Sequence, residues 1–291
     1  MNAQPGIRLG AITPISPLYY HKGPLISTPT VYLIWYGNWQ QTNRIDNADG
    51  QQIVRDFLNA IGGSPYFAIN SSLSTGSNVI TGNVAFGGET TDTGSQGKIL
   101  TDLKVGRVVT NAIVSGALPS DPSGVYFVLT SSDIVEASGF CTRFCGFHSH
   151  GVLSGTNIKY AFVGNPGRCL RGCAPQVLSP NGNAAVDGMV SIIAHELSEA
   201  TTDPDGRTGW YDLRHSENAD KCAWTYGRHQ YRAANGAWAN MGWDYLDGNG
   251  AFLYHRDFLI QRNTVRVITK TGMQVNYCAT SYDPVTKTYL P

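Results

Sequence analysis

An α/β fold, a mixed sheet with covering helices, is the architecture this sequence predicts, and three observations predict it. First, three runs are nearly continuous in β-prone apolar residues: TVYLIWYG from Thr30, VYFVLTS from Val125 and KYAFVGN from Lys159. That is the pattern of strands covered on both faces. Second, the stretches between them carry helical periodicity. Third, a longer helical segment follows the last run. Strand, helix, strand, helix, strand is the order of a sheet covered by helices.

The elements follow in sequence. Residues 1–29 hold five prolines and no periodicity, so they read as an extended lead-in. After the first strand, Asp49 can cap a helix whose Ile53, Val54, Phe57, Leu58 and Ile61 share one face, ended by Gly62-Gly63. Short strands fit around Asn78–Phe86. Leu100, Leu103, Val108 and Ile113 suggest a second helix between Gly97 and Ser115. A third helix is expected over 187–201, ended by Asp203-Pro204. Residues 30–224 then form one large α/β domain. Residues 225–291, with strand signals at Phe252–Ile260 and Thr264–Thr269, form a smaller β-rich C-terminal lobe of the same domain.

Composition narrows the function. The chain has 291 residues, 42% hydrophobic and 14% charged, which excludes general disorder. Its 21 basic residues equal its 21 acidic ones, so neither nucleic acid nor a membrane surface is an expected partner. No run approaches the ~18 apolar residues of a membrane span. The start lacks the regions of a signal peptide, but six cysteines in a loop-rich chain read as three disulfides and an oxidising compartment. The protein is therefore expected to be secreted, numbered after a removed signal. The expected pairing is Cys141–Cys145, Cys169–Cys173 and Cys222–Cys278. Pairing across the two CxxxC motifs is the alternative, because four residues within a helix do not suit a disulfide; a four-cysteine zinc site is a third reading. Asn70-Ser71-Ser72 is a glycosylation sequon.

The concentrated chemistry lies on the 187–201 helix. His195 and Glu199, four residues apart, stack on one face, and Glu196 follows the histidine directly. This is the arrangement of the HExxH metallopeptidase helix with glutamate in place of the second histidine. His195 and Glu199 are candidate zinc ligands, and Glu196 is the candidate general base. Glu217, eighteen residues after Glu199, is the expected third ligand, with Asp220 orienting a histidine. Asp203, Asp205 and His148 are alternative ligands; His148 and His150 form an HxH pair whose rings share a strand face. Trp35, Tyr36, Trp39, Trp210, Tyr211, Trp224, Trp238 and Trp243 could stack on sugar rings, although most read as core aromatics.

Six ordered motifs carry a family resemblance: YHKGPLI at Tyr20, VYLIWYGNW at Val31, GVYFVLTSSD at Gly124, FCTRFCGFH at Phe140, YAFVGNPGRC at Tyr160 and DGMVSIIAHELSEATTDP at Asp187. Over roughly Tyr20 to Cys222 the sequence resembles the phosphate-induced, or EXORDIUM-like, family known chiefly from plant cell walls. The resemblance implies an extracellular protein of the cell surface and supplies no reaction. It maps the family's helix motif onto His195, Glu196, Glu199, Asp203 and Pro204, its later acidic segment onto Glu217, Asp220 and Cys222, and a family histidine onto His148.

The element order also resembles the zincin amino-terminal lobe. The leading expectation is therefore a secreted zinc-dependent, metallopeptidase-like hydrolase acting on a peptide or protein substrate. The alternative is a non-catalytic extracellular protein that uses the site as a structural metal clamp and binds cell-wall carbohydrate. A paired-carboxylate glycosidase is the third reading.

Overall fold

In the computed structural model, which describes residues 13–291, the three apolar runs lie side by side in one mixed sheet. Its strands are β1 (Thr30–Tyr36), β2 (Ala85–Asp92), β3 (Gly124–Thr130), β4 (Gly146–Leu153) and β5 (Thr156–Val163). Their spatial order is β2-β1-β3-β5-β4; all neighbours are parallel except the edge strand β4, which runs antiparallel to β5. Three helices cover the sheet: α1 (Ala48–Ile61), α2 (Asp102–Val114) and α3 (Ala184–Thr202).

Alternation along the strands explains the two-sided burial. Val31, Leu33 and Trp35 of β1, with Val125, Phe127 and Leu129 of β3, pack against α1 and α3. Tyr32, Ile34 and Tyr36, with Tyr126 and Val128, face α2 on the other side. Period-two residues apolar on both faces give the continuous runs seen in the sequence. By contrast β2 is an edge strand, AFGGETTD, exposed at every second residue. It offers no apolar run, and the expected short strands around 78–86 overlap only its first two residues.

Helix α1 is capped by Asn47, whose side chain accepts from the Gly50 backbone, two residues ahead of the expected Asp49. Helix α3 begins three residues before the expected start, capped by Asn183, and ends at Thr202. It is buried around nearly its whole circumference. The sheet and α1 cover one side, and Phe258, Ile260, Val265, Ala279 and Tyr282 of the C-terminal residues join the same core. These residues belong to two antiparallel hairpins, β6 (Met241–Leu246) with β7 (Phe252–Phe258), and β8 (Asn263–Ile268) with β9 (Gln274–Ala279), or flank them.

Residues 1–12 of the expected lead-in lie outside the described residues. The rest of it is held down: Ile15 bridges Asn276, and Tyr19 and Tyr20 pair with Tyr211 and Trp210.

The disulfides correct part of the expected pairing. Cys141 bonds Cys169, Cys145 bonds Cys173, and Cys222 bonds Cys278, with no free cysteine. Cys173 closes a helical turn, its amide donating to the Cys169 carbonyl at 3.2 Å. One turn of helix puts both sulfurs on the same side, toward the neighbouring segment 141–145, so the motifs join as two rungs. Asn70 is fully buried. Its Oδ1 accepts from Asn218 and Asn263 at 3.0 and 2.9 Å, so the sequon is structural and closed to a glycan.

Candidate metal centre

Three elements converge on the candidate residues. β4 supplies His148, α3 supplies His195, Glu196 and Glu199, and the segment leading to Cys222 supplies Glu217 and Asp220. Gly146 sets the approach of β4 to α3: a Cβ there would meet Ile192 at 2.6 Å and the Glu196 carboxylate at 3.0 Å. His148 lies two residues on, on the same strand face, and therefore over α3. Phe147 between them turns to the opposite face and stacks on Phe162.

The His148 Nε2 lies 3.0 Å from Glu217 Oε2 and 3.9 Å from Glu199 Oε2. The His195 Nε2 lies 3.1 Å from Glu199 Oε1, as i, i+4 stacking dictates, and 3.5 Å from Asp220 Oδ1. The Asp220 amide donates to Glu199 Oε1 at 2.9 Å. Two groups of potential ligands result, His148/Glu199/Glu217 and His195/Glu199/Asp220, and Glu199 belongs to both. Thus Glu199 meets His195 in one group and Glu217 in the other. Sequence spacing could not reveal the pairing of His148 with Glu217, because it joins residues 69 apart across the cleft.

Burial and mutual charge shape the titration. Burial alone would lower the His148 pKa, but the charges of Glu217, Glu199 and Glu196 outweigh it and lift it to about 10. His195 is raised well above its ordinary value, since Glu199 and Asp220 overcome the same burial. Burial, reinforced by Glu199, pushes Glu196 up to about 8 and Glu217 up to about 7. Asp220 shifts down: its burial opposes this, but the hydrogen bond to His195 prevails. Both imidazoles leave a buried Nδ1 without a protein partner.

The remaining acidic candidates are occupied elsewhere. Asp203 accepts from the amides of Arg207, Thr208 and Gly209 at 2.7, 2.9 and 2.7 Å, and so braces the turn after α3. Asp205 accepts from Asn157. His150 is exposed and joins neither group.

The cluster floors a cleft of about 460 Å³, also lined by Arg143, Phe144, Trp224 and Gln261. Trp224 is 38% exposed. Its backbone is left-handed, φ 58°, an unusual conformation for a bulky side chain, and its amide donates to Gln261 Oε1 at 2.9 Å. Trp35, Tyr36, Trp39 and Trp210, candidates for sugar stacking, are core residues at 4% exposure or less.

A family model described as the phosphate-induced protein 1 conserved region matches residues 18–263. The protein EXORDIUM-like 3 of Arabidopsis thaliana is 38% identical over 245 residues, spanning 72% of this chain and 69% of that one. EXORDIUM-like 5 of the same plant is 35% identical, over 72% of this chain and 65% of its own. The protein PHOSPHATE-INDUCED 1 of Nicotiana tabacum is 28% identical over 74% of each. No solved structure matches.

These relatives correct the leading expectation of a zinc-dependent, metallopeptidase-like hydrolase. They are EXORDIUM and phosphate-induced proteins, not known hydrolases. The physical reason for the misreading is that HExxE spacing fixes only the direction of two side chains on a helix. Such spacing serves a charge cluster or a metal clamp as well as it serves catalysis.

Proposed function

The chain belongs to the phosphate-induced protein 1 family, and from that premise we propose a non-catalytic extracellular protein that binds cell-wall carbohydrate in a metal-clamped cleft. Three disulfides are compatible with secretion, and no helix among the described residues is long and apolar enough to cross a membrane.

The observation that carries the binding reading is Trp224. An indole kept partly exposed at the rim of a polar cleft, on a strained backbone, is a platform on which a sugar ring can stack. The Glu217 and Asp220 carboxylates of the floor, more accessible than the buried Glu196, offer hydrogen bonds to hydroxyls.

The clamp reading rests on the donor set. The proposed zinc ligands are Glu199 with His148 and Glu217 on one side and Glu199 with His195 and Asp220 on the other, so the expected trio His195, Glu199 and Glu217 is divided between two groups. Imidazole and carboxylate suit zinc. A bound ion would tie the edge strand, α3 and the 217–222 segment together, a structural role. The antiparallel edge strand β4 beside α3 supports a zincin-like reading of the fold.

The test is a binding titration against solubilised cell-wall polysaccharides, with turnover followed in parallel. Trp224→Ala should weaken the best ligand about 5–30-fold, the loss of one stacking contact of about 1–2 kcal/mol. Glu196→Gln should leave affinity unchanged. Equal binding by Trp224→Ala, or product release by the native protein, overturns the reading.

A further inference from the structure

Resting on the clamp reading, we infer that the cleft holds two divalent cations bridged by the Glu199 carboxylate. His148 and Glu217 serve one ion, and His195 and Asp220 serve the other.

The geometry divides the donors in two. Each group has one imidazole and two carboxylates with ligand atoms within 4.8 Å of one another, and among the described residues no group contains both imidazoles. The groups use opposite oxygens of the shared residue: Oε1 faces His195 at 3.1 Å, and Oε2 faces His148 at 3.9 Å. Two donors on one tetrahedral ion, each about 2.0–2.1 Å away, stand about 3.4 Å apart. The observed separations of 3.0, 3.9, 3.1 and 3.5 Å bracket that value on both sides of Glu199. An imidazole in place of Glu199 would present one ligating nitrogen to the cluster, whereas a carboxylate can bridge.

Charge supplies an independent argument. Glu196, Glu199, Glu217 and Asp220 carry four formal negative charges, and Glu196 and Glu199 are almost fully buried. Among the described residues no lysine or arginine pairs with any of them; the Lys and Arg ion pairs go to Asp56, Glu89, Asp133 and Asp212. The cations that do face these carboxylates are the two imidazoles, and an ion that takes the Nε2 of one displaces its proton, so an ion at each imidazole keeps the set compensated. The imidazoles fit this as well. Each reaches the cluster only through Nε2, and the buried Nδ1 atoms find no protein partner.

The experiment counts zinc in the whole protein after chelator stripping, zinc reloading and removal of excess, and repeats the loading with manganese for electron paramagnetic resonance. Two equivalents of zinc and an exchange-coupled manganese pair are expected. Glu217→Gln and Asp220→Asn should each retain one equivalent and lose the coupling. One equivalent in the native protein, or two without coupling, overturns the bridged pair and leaves the clamp standing. No bound zinc overturns both. Should either variant fail to fold, the native stoichiometry and coupling still decide.

Discussion

Removing the Cys222–Cys278 bridge should both destabilise the protein and loosen the metal centre. The bond spans 56 residues. In the chain-entropy model a closed loop of that length restricts the unfolded chain by about 14 cal/mol/K, or about 4 kcal/mol at 25 °C. Cys222 is buried against Thr264, so truncation to alanine adds a small packing loss. The double variant Cys222→Ala/Cys278→Ala should therefore lose about 4–5 kcal/mol, a large part of the 5–15 kcal/mol typical of a domain. Urea unfolding followed by tryptophan fluorescence, with chelator present, measures this directly. Repeating the titration with zinc reads the second effect, because Glu217 and Asp220 lie just before Cys222 on the segment it tethers. Zinc affinity should fall at least ~10-fold, which is about 1.4 kcal/mol. A loss below about 1 kcal/mol, or unchanged zinc affinity, refutes the tether.

Two further outcomes follow from the buried polar groups. Without metal, stability should fall as pH rises from about 5 to 8. Glu217 and Glu196 have folded pKa values raised to about 7 and about 8 from 4.5, so the stability they contribute is complete below 4.5 and lost through those values. His148, raised to about 10 from 6.5, extends the same trend upward, whereas the lowered Asp220 acts only in acid, below 3.8. Zinc should reverse the slope, since binding requires deprotonated ligands; urea midpoints at pH 5, 6, 7 and 8 with and without zinc check both signs. Peptide mapping of protein secreted from a eukaryotic host should find Asn70 unmodified. Asn70→Ala should cost about 2–4 kcal/mol, because it strands the amides of Asn218 and Asn263.

What the sequence disclosed and what it hid divide along physical lines. Strands β1, β3 and β5 were legible because burial on both faces forces uninterrupted apolar runs. Strands β2 and β4 were not, since edge position lets polar residues and glycine alternate with apolar ones. His148 was legible as an alternative ligand on a strand, but not its partner: without β4 placed beside α3, nothing in the spacing brings residue 148 to residue 217. Helix α3 and its His195–Glu199 stack followed from local periodicity. The destination of Asp203 did not, because three backbone amides of a turn compete for it and leave no trace in side-chain spacing. The disulfide rungs illustrate the limit again. CxxxC spacing gives two cysteines one side of a helical turn, but only the neighbouring segment decides which sulfur each one meets.

The proposed metal and carbohydrate sites should be coupled, because one short segment carries residues of both. Glu217 and Asp220 face the imidazoles, and Trp224, four residues beyond Asp220, forms the rim. That segment is pinned to Glu199 by the Asp220 amide, to Cys278 by the disulfide, and to Gln261 by the Trp224 amide. A cation drawn between Glu199 and the 217–220 carboxylates replaces repulsion with attraction and so fixes the base on which the indole stands. The ordering is then spent before carbohydrate arrives, which is the physical origin of positive coupling. A factor of about 5–150, the usual range for such linkage, is expected between zinc-loaded and stripped protein in the polysaccharide titration. Linkage also demands the reciprocal: saturating polysaccharide must tighten zinc by the same factor. Trp224→Ala should abolish that reciprocal gain while retaining zinc. Equal polysaccharide affinities with and without zinc would sink the coupling.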